Sequence, residues 1–189
     1  MNAYLQPALS YVSNMDSSIL YWVQSLGPAW KGVAWVLSYG VSYEAMIVVF
    51  ALALFLMRKH RIALELLAIA VLSLGATYVL KYLFHAPRPY AIDPAVIFFD
   101  KDGGYGLPSA HALMSVVILG WIAIRHPRSH IIAWGSVALI LLIGLSRVYL
   151  GVHYPSQVLA GWIFGILFLY IFRVIDKRLW SPFKKTLRK

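Results

Sequence analysis

The chain has 189 residues, 61% of them hydrophobic, no cysteine, and a formal net charge of +10 at pH 7. The hydrophobic share exceeds the roughly 45–50% of ordinary soluble domains, and the lack of cysteine excludes disulfides and thiolate metal sites. The charge does not indicate nucleic-acid binding, because most lysines and arginines flank apolar segments, as they do in membrane proteins.

Residues 1–34 form an N-terminal region without a clear membrane span. The region has no basic start, and polar residues interrupt its apolar positions, so it does not resemble a cleaved signal peptide. Its last part, SSILYWVQSLGPAW, is short and aromatic and is broken at Gly27 and Pro28. We expect an amphipathic helix lying at the membrane interface, with a sixth membrane span as the alternative.

Five apolar segments beyond this region are long enough to be membrane-spanning helices. Each approaches the ~20 residues that cross the hydrocarbon layer, where an open segment must be helical to satisfy its own backbone hydrogen bonds. The predicted spans are residues 35–57, 62–84, 108–124, 131–149 and 157–175. The sequence therefore predicts an all-α, polytopic helix bundle over residues 35–176, followed by a basic cytoplasmic tail at residues 177–189.

Basic residues indicate the orientation of these helices. The loops at residues 58–61 and 125–130, together with the end of the chain from Arg173, hold 12 of the 17 lysines and arginines. Because cytoplasmic loops carry an excess of basic residues, these three regions should face the cytoplasm. The loop at residues 85–107 and the short turn at residues 150–156 then lie on the opposite, non-cytoplasmic side.

Polar residues concentrate where the helices reach this non-cytoplasmic side. They are Lys81, Arg88, Ser109, His111, Ser146, Arg147 and His153. Taken one at a time, each has an ordinary structural explanation. Lys81 and Arg88 are typical of charged helix ends and Ser109 of a helix start. His111 could be a packing histidine, and Arg147 and His153 could be interfacial anchors. Together, the cations require an anion, because arginine forks match phosphate oxygens and a helix start offers free N–H groups. Histidine titrates near neutral pH and adds a nucleophile or a proton donor.

These patches resemble the motifs of the PAP2 family of phosphatidic acid phosphatases, whose catalytic core is also that of vanadium haloperoxidases. The family pattern K-x6-R-P is matched by KYLFHAPRP, which begins at Lys81. The pattern P-S-G-H is matched by PSAH, in which Ala110 replaces the glycine. The pattern S-R-x5-H-x3-D is matched by SRVYLGVHYPSQ, in which Gln157 replaces the aspartate. The resemblance covers about residues 62–175.

The resemblance implies a PAP2-like helical core and a role for each matched residue. It implies that His153 is the nucleophile, that His111 protonates the leaving oxygen, and that Gln157 stands where the family has the residue orienting His153. The residues implied to bind the substrate phosphate are Lys81, Arg88, Ser109, Ala110 and Arg147. The resemblance implies neither a metal nor another cofactor.

We therefore expect a lipid phosphatase of the cell inner or plasma membrane, with its active site on the periplasmic or extracellular face. The lipid phosphate substrate is phosphatidylglycerophosphate, phosphatidate or undecaprenyl diphosphate, and no nucleic-acid partner is expected. The oligomeric state is left open. A second hypothesis is a phospholipid-phosphate binding or regulatory protein with weakened turnover, because the Gln157 amide carries no negative charge. A third is phosphoryl transfer to an acceptor other than water.

Overall fold

The computed structural model describes residues 14–40, 42–99 and 103–176, and all regular structure in these ranges is helical. The helices are α1 (Asn14–Gln24), α2 (Lys31–Trp35), α3 (Tyr43–Leu56), α4 (His60–Phe84), α5 (Pro89–Ile92), α6 (Ala110–Arg125), α7 (His130–Tyr149) and α8 (Pro155–Ile175). A 3₁₀ turn, Pro28–Trp30, precedes α2, and a π-helical turn, Val36–Gly40, follows it. The predicted all-α bundle is confirmed, whereas the expected basic tail at residues 177–189 lies outside the described residues.

Three of the described segments, His60–Ile92, His130–Tyr149 and Pro155–Ile175, are long and apolar enough to cross a membrane. A fourth span results only if Pro28–Gly40 and Tyr43–Leu56, which are inclined by 50°, form one broken span. The predicted number of five complete spans is therefore not reproduced, although helices occupy most of all five predicted segments.

Local sequence explains why two of the predicted spans are shorter than expected. Ser42 has an extended backbone, and its hydroxyl accepts a hydrogen bond from the Ala45 N–H at 3.3 Å, so a new helix begins there. Ser109 is also extended, so α6 begins only at Ala110. With 16 residues, α6 falls short of the ~20 residues that a membrane-spanning helix needs.

The centre of the bundle is α6, which packs against α3, α4, α7 and α8. Residues 112–119 of this helix are all buried. Most of them belong to a core that includes Leu66 and Ile69 of α4 and Ile143 of α7. Side chains on the outer surface of the bundle are also apolar, as Val71, Ile131 and Ile163 are each more than half exposed. A surface of this kind suits contact with lipid.

Two glycines of α8 allow this helix to approach α6 closely. A Cβ atom at Gly161 would lie 2.7 Å from the Ser109 carbonyl oxygen, and one at Gly165 would lie 2.7 Å from the Leu113 carbonyl oxygen. Small residues four positions apart permit such close backbone packing between membrane helices. The first turns of α6 and α8 therefore lie side by side, and the Ser109 N–H donates to the Gln157 carbonyl at 3.0 Å.

Polar contacts distinguish the two ends of the bundle. Where α4 begins and α6 ends, Glu65 pairs with Arg61 at 3.3 Å and with Arg125. The opposite end, where α4 ends and α6 and α8 begin, is called the motif end here. α1 lies against the motif end, since Asp16 accepts a hydrogen bond from the Ser156 N–H at 2.8 Å. That α1 lies at the membrane interface stays a prediction.

Candidate active site

All the predicted site residues lie at the motif end, where five parts of the chain supply them. The end of α4 supplies Lys81, the loop after it Arg88, the start of α6 Ser109 to His111, the end of α7 Arg147, and the turn into α8 His153 and Gln157. Six of them are less than 8% exposed: Lys81, Arg88, Ser109, Arg147, His153 and Gln157. Burying so many polar groups together is costly unless they bind one another or a shared partner.

The Arg88 guanidinium bridges two loops and touches the His153 ring. Arg88 has an extended backbone and is followed by Pro89, which begins α5. Its Nε donates to the Gly104 carbonyl and its Nη2 to the Gly103 carbonyl, both at 3.1 Å. Its Nη1 lies 3.1 Å from the Val152 carbonyl and 3.1 Å from His153 Nε2. The arginine fork is thus held by backbone carbonyls beside the imidazole.

This contact defines the tautomer of His153. A guanidinium only donates hydrogen bonds, so His153 Nε2 must accept the bond from Arg88. The proton of the neutral ring then lies on Nδ1, which donates to Gln157 Oε1 at 3.1 Å. The lone pair on Nε2 therefore points toward Arg88, at the side of the ring where the guanidinium would also meet an anion.

The Gln157 amide has one stable orientation at this position. Its Nε2 donates to the Pro87 carbonyl at 2.7 Å, and its Oε1 also accepts from the Tyr154 N–H at 3.3 Å. Reversing the amide would place its oxygen against the Pro87 carbonyl oxygen, an acceptor against an acceptor. The loop above it depends on a glycine, because a Cβ at Gly106 would meet Gln157 Nε2 at 2.5 Å.

The start of α6 presents hydrogen-bond donors to the site. Ser109 precedes the helix, and its buried hydroxyl has no hydrogen-bond partner among the residues that the structure describes. Ala110 is the first residue of α6 and does not have a positive φ, so the side chain in place of the family glycine causes no backbone strain. Lys81 reaches this region from α4 and donates to the Tyr105 carbonyl.

Arg147 and His111 contact a part of the chain that the sequence analysis did not identify. The Arg147 Nη1 donates to the Ser38 hydroxyl, and its guanidinium carbon lies 5.6 Å from the centre of the Tyr39 ring. The His111 ring meets Tyr39 edge-on at 6.3 Å and Tyr43 at 5.0 Å between ring centres. The stretch SYGVSY, residues 38–43, interrupts an apolar segment with polar side chains. This interruption is the sequence feature that could have indicated a contribution to the site.

The electrostatic environment keeps His153 neutral. Burial, as the largest cause, lowers the pKa of its imidazole well below the usual range. The charges of Arg88, Arg147 and Lys81 act in the same direction, while the hydrogen bond to Gln157 opposes them. The same three cations also act on the His111 ring, so both imidazoles lie in one positive field. Such a field attracts an anion and strengthens its hydrogen bonds.

Comparison with known proteins identifies the family to which this arrangement belongs. The family model of the PAP2 superfamily matches residues 62–181, which is more than half of the chain. The chain belongs to the PAP2 superfamily. The resemblance stated from its three motifs is thereby confirmed, and the match includes every predicted site residue.

Individual PAP2 relatives agree with this assignment. An undecaprenyl-diphosphatase of Sulfolobus acidocaldarius is 30% identical over 151 residues, covering 78% of this chain and 69% of that protein. Phosphatidylglycerophosphatase B of Bacillus subtilis is 27% identical over 144 residues, covering 71% and 68%. The crystal structure of a transmembrane PAP2-type phosphatidylglycerolphosphate phosphatase from Bacillus subtilis superposes with a TM-score of 0.73, at 20% identity and 93% coverage of both chains.

These findings support three statements about this PAP2 protein. The superfamily and its relatives make it a phosphatase, hence a hydrolase. Its fold is that of the membrane phosphatases with which it superposes. Together with its apolar helices, this makes it an integral membrane protein.

Proposed function

We propose that this protein hydrolyses a phosphate or diphosphate group of a membrane lipid through a covalent phosphohistidine at His153. The observation that carries the proposal is the contact between His153 Nε2 and Arg88 Nη1, 3.1 Å apart, with Nδ1 bound to Gln157. A phosphate oxygen held by Arg88 brings its phosphorus within reach of the Nε2 lone pair. His153 as nucleophile, Gln157 as its orienting group and Arg88 as the anion-binding group therefore all lie around the position of the reacting phosphorus.

The first chemical step forms the covalent intermediate. His153 Nε2 attacks phosphorus, the bond from phosphorus to the leaving oxygen breaks, and His111 gives that oxygen its proton. The non-bridging oxygens bind to the positive cradle, in which the buried Ser109 hydroxyl gains the partner that it lacks. The cradle consists of Lys81, Arg88, Ser109, the Ala110 N–H and Arg147. Its role is to stabilise charge that develops on these oxygens in the transition state.

The second step restores the free enzyme. A water molecule attacks the phosphohistidine and gives a proton to His111, and the bond between phosphorus and His153 Nε2 breaks. Inorganic phosphate leaves, and both histidines return to their initial protonation states. No metal enters this scheme, because the cations of the chain neutralise the phosphate. Hydrolysis that continues with a chelator present is the corresponding expectation.

A lipid substrate fits the position of the site at the end of a membrane helix bundle. The head group of a lipid reaches helix ends by lateral diffusion, while its hydrocarbon chains stay in the bilayer. Phosphatidylglycerophosphate, phosphatidate and undecaprenyl diphosphate all meet this requirement. Because the basic loops lie at the other end of α4 and α6, we place the site on the periplasmic or extracellular face of the inner or plasma membrane.

A second candidate function, binding without efficient turnover, is favoured by the neutral side chain at position 157. Gln157 accepts the Nδ1 proton of His153 but supplies no negative charge to the imidazolium that forms during reaction. The two candidates differ in turnover alone, because both require the phosphate cradle. Phosphoryl transfer to another acceptor differs from both, since it yields a phosphorylated product and little inorganic phosphate.

The test is an assay of the purified protein with each of the three lipids and a chelator present. We expect release of inorganic phosphate by the parent protein and none above background by His153→Ala. The matched control is His126→Ala, because His126 lies at the other end of the bundle, where its ring Nδ1 lies 3.1 Å from the Ile122 carbonyl of the preceding helix. Binding of lipid by the parent without phosphate release would favour the second candidate.

A further inference from the structure

A short segment outside the part matched by the family model reaches into the candidate site. The π-helical turn Val36–Gly40 precedes the bend before α3, and the family match begins only at residue 62. Within this turn, Ser38 is fully buried, and its hydroxyl accepts a hydrogen bond from Arg147 Nη1. Arg147 is itself fully buried at the end of α7. The turn therefore binds one of the cations of the site directly.

The neighbouring Tyr39 contacts two site groups that come from different helices. Its ring centre lies 5.6 Å from the Arg147 guanidinium carbon and 6.3 Å from the ring centre of His111. A guanidinium at this distance from an aromatic ring is attracted by the ring's quadrupole. Tyr43, at the start of α3, also meets the His111 ring edge-on, at 5.0 Å between ring centres. The Tyr39 ring thus contacts both Arg147 of α7 and His111 of α6.

We propose that Ser38 and Tyr39 are positioning residues, which hold Arg147 and His111 in a fixed relation across the phosphate site. The inference rests on the proposed function, in which Arg147 binds a phosphate oxygen and His111 transfers the proton. An arginine side chain has many rotamers, and a hydrogen bond together with an aromatic ring selects one of them. The proposed catalytic and phosphate-binding residues all lie within the part matched by the family model, residues 62–181. Ser38 and Tyr39, which precede this part, add the contacts that position two of them.

Positioning of this kind affects the transition state more than substrate binding. A lipid substrate is also held by its hydrocarbon chains and by the other cations, so a displaced Arg147 changes KM little. Displacement of a charge-stabilising group from the reacting phosphate instead lowers kcat. Orthovanadate takes up the five-coordinate geometry of phosphoryl transfer, so its affinity reports the same arrangement without turnover.

The experiment compares Ser38→Ala, Tyr39→Leu and Tyr39→Phe with the parent protein. For Ser38→Ala and Tyr39→Leu we expect kcat and orthovanadate affinity to fall on the order of tenfold, with KM changed less than about twofold. Tyr39→Phe retains the ring and should stay within about twofold of the parent. Ser115→Ala is the matched control for a buried serine, because the Ser115 hydroxyl donates to the Ala112 carbonyl of its own helix rather than to a site residue. Tyr78→Leu, at an exposed position of α4, is the control for loss of a tyrosine.

The possible results separate this inference from the proposed function. Parental kcat and orthovanadate affinity in both Ser38→Ala and Tyr39→Leu would overturn the inference, even if the parent hydrolyses lipid phosphate and His153→Ala does not. An inactive parent whose orthovanadate binding is weakened by these two variants would support the inference and overturn the proposed activity. Equal losses in the Ser115→Ala and Tyr78→Leu controls, or no orthovanadate binding by the parent, would also overturn the inference.

Discussion

Gln157 holds His153 with one end of its amide and the Pro87 carbonyl with the other. The two contacts, Oε1 to His153 Nδ1 at 3.1 Å and Nε2 to the Pro87 oxygen at 2.7 Å, require opposite ends of the same amide. An uncharged residue thereby accepts the Nδ1 proton and orients the imidazole, the task that a carboxylate performs in a triad. What it lacks is the charge that stabilises an imidazolium.

Replacing Gln157 with leucine tests the orienting role. Leucine removes the acceptor for Nδ1 and the bond to Pro87, so we expect kcat to fall by about 10²–10³, less than the ~10⁴ that the wrong tautomer costs a serine protease. KM should change little, since the phosphate cradle remains. Steady-state kinetics with a lipid phosphate measures both quantities. Ser156→Ala is the control, because Ser156 is next to Gln157 in the sequence but is exposed. A parental kcat in the leucine variant would contradict the orienting role of Gln157.

The pH dependence of kcat/KM tests the missing charge. Burial and the neighbouring cations hold the pKa of His153 well below its usual 6.5, so the neutral nucleophile persists as the pH falls below that value. A carboxylate stabilises the imidazolium and raises this pKa, so the neutral form disappears at higher pH. We therefore expect Gln157→Asp to move the acid limb of kcat/KM to higher pH than in the parent. Gln157→Asn has the same size without the charge, and identical acid limbs in the two variants would refute this reasoning.

Replacing Arg88 with lysine tests the guanidinium fork. Arg88 is held by the carbonyl groups of Gly103, Gly104 and Val152 while it contacts His153. A lysine ammonium keeps the charge but cannot make these bonds in one plane. We expect kcat/KM to fall by about 10²–10³, as when one oxyanion donor is removed. Arg128→Lys, in the basic loop at the other end of the bundle, should leave kcat/KM unchanged, and an equal effect of both substitutions would argue against the proposed cradle.

The close approach of α6 and α8 can be tested by stability. A methyl group at Gly161 would lie 2.7 Å from the Ser109 carbonyl oxygen, which accepts a hydrogen bond from the Leu113 N–H and therefore cannot turn away. We expect Gly161→Ala to destabilise the protein by about 1–3 kcal/mol, as overpacking does. Thermal unfolding in detergent measures the effect. The control is Gly135→Ala, because a Cβ at Gly135 would meet no atom of the described residues within 4 Å. Equal melting temperatures for the two variants would contradict the packing described.

The sequence predicts helices well but their ends less well. Apolar stretches of span length identify α4, α7 and α8, because a membrane helix must satisfy its own backbone. The break before α3 depends on one capping side chain, Ser42, and the late start of α6 depends on the extended backbone of Ser109. Hydropathy does not detect such single-residue effects, because it averages over a window of residues.

The motifs predict which residues form the candidate site, but not what holds them in place. The structure brings Lys81, Arg88, Arg147 and both histidines to one end of the bundle, as the spacing of the three motifs indicates. Their supports escape sequence reasoning because most are backbone carbonyls, such as that of Pro87, which no residue type reveals. Ser38 and Tyr39 escape it for another reason, since they precede the motifs by more than forty residues.

The covalent intermediate is the most direct test of the proposed chemistry. The protein is mixed with a lipid phosphate, quenched in alkali within the first turnover, digested, and examined by mass spectrometry, because phosphohistidine survives alkali but not acid. We predict one phosphate on His153, which appears before inorganic phosphate and is absent from His153→Ala. Turnover without a phosphorylated His153, or with the phosphate on His111 instead, would contradict the account.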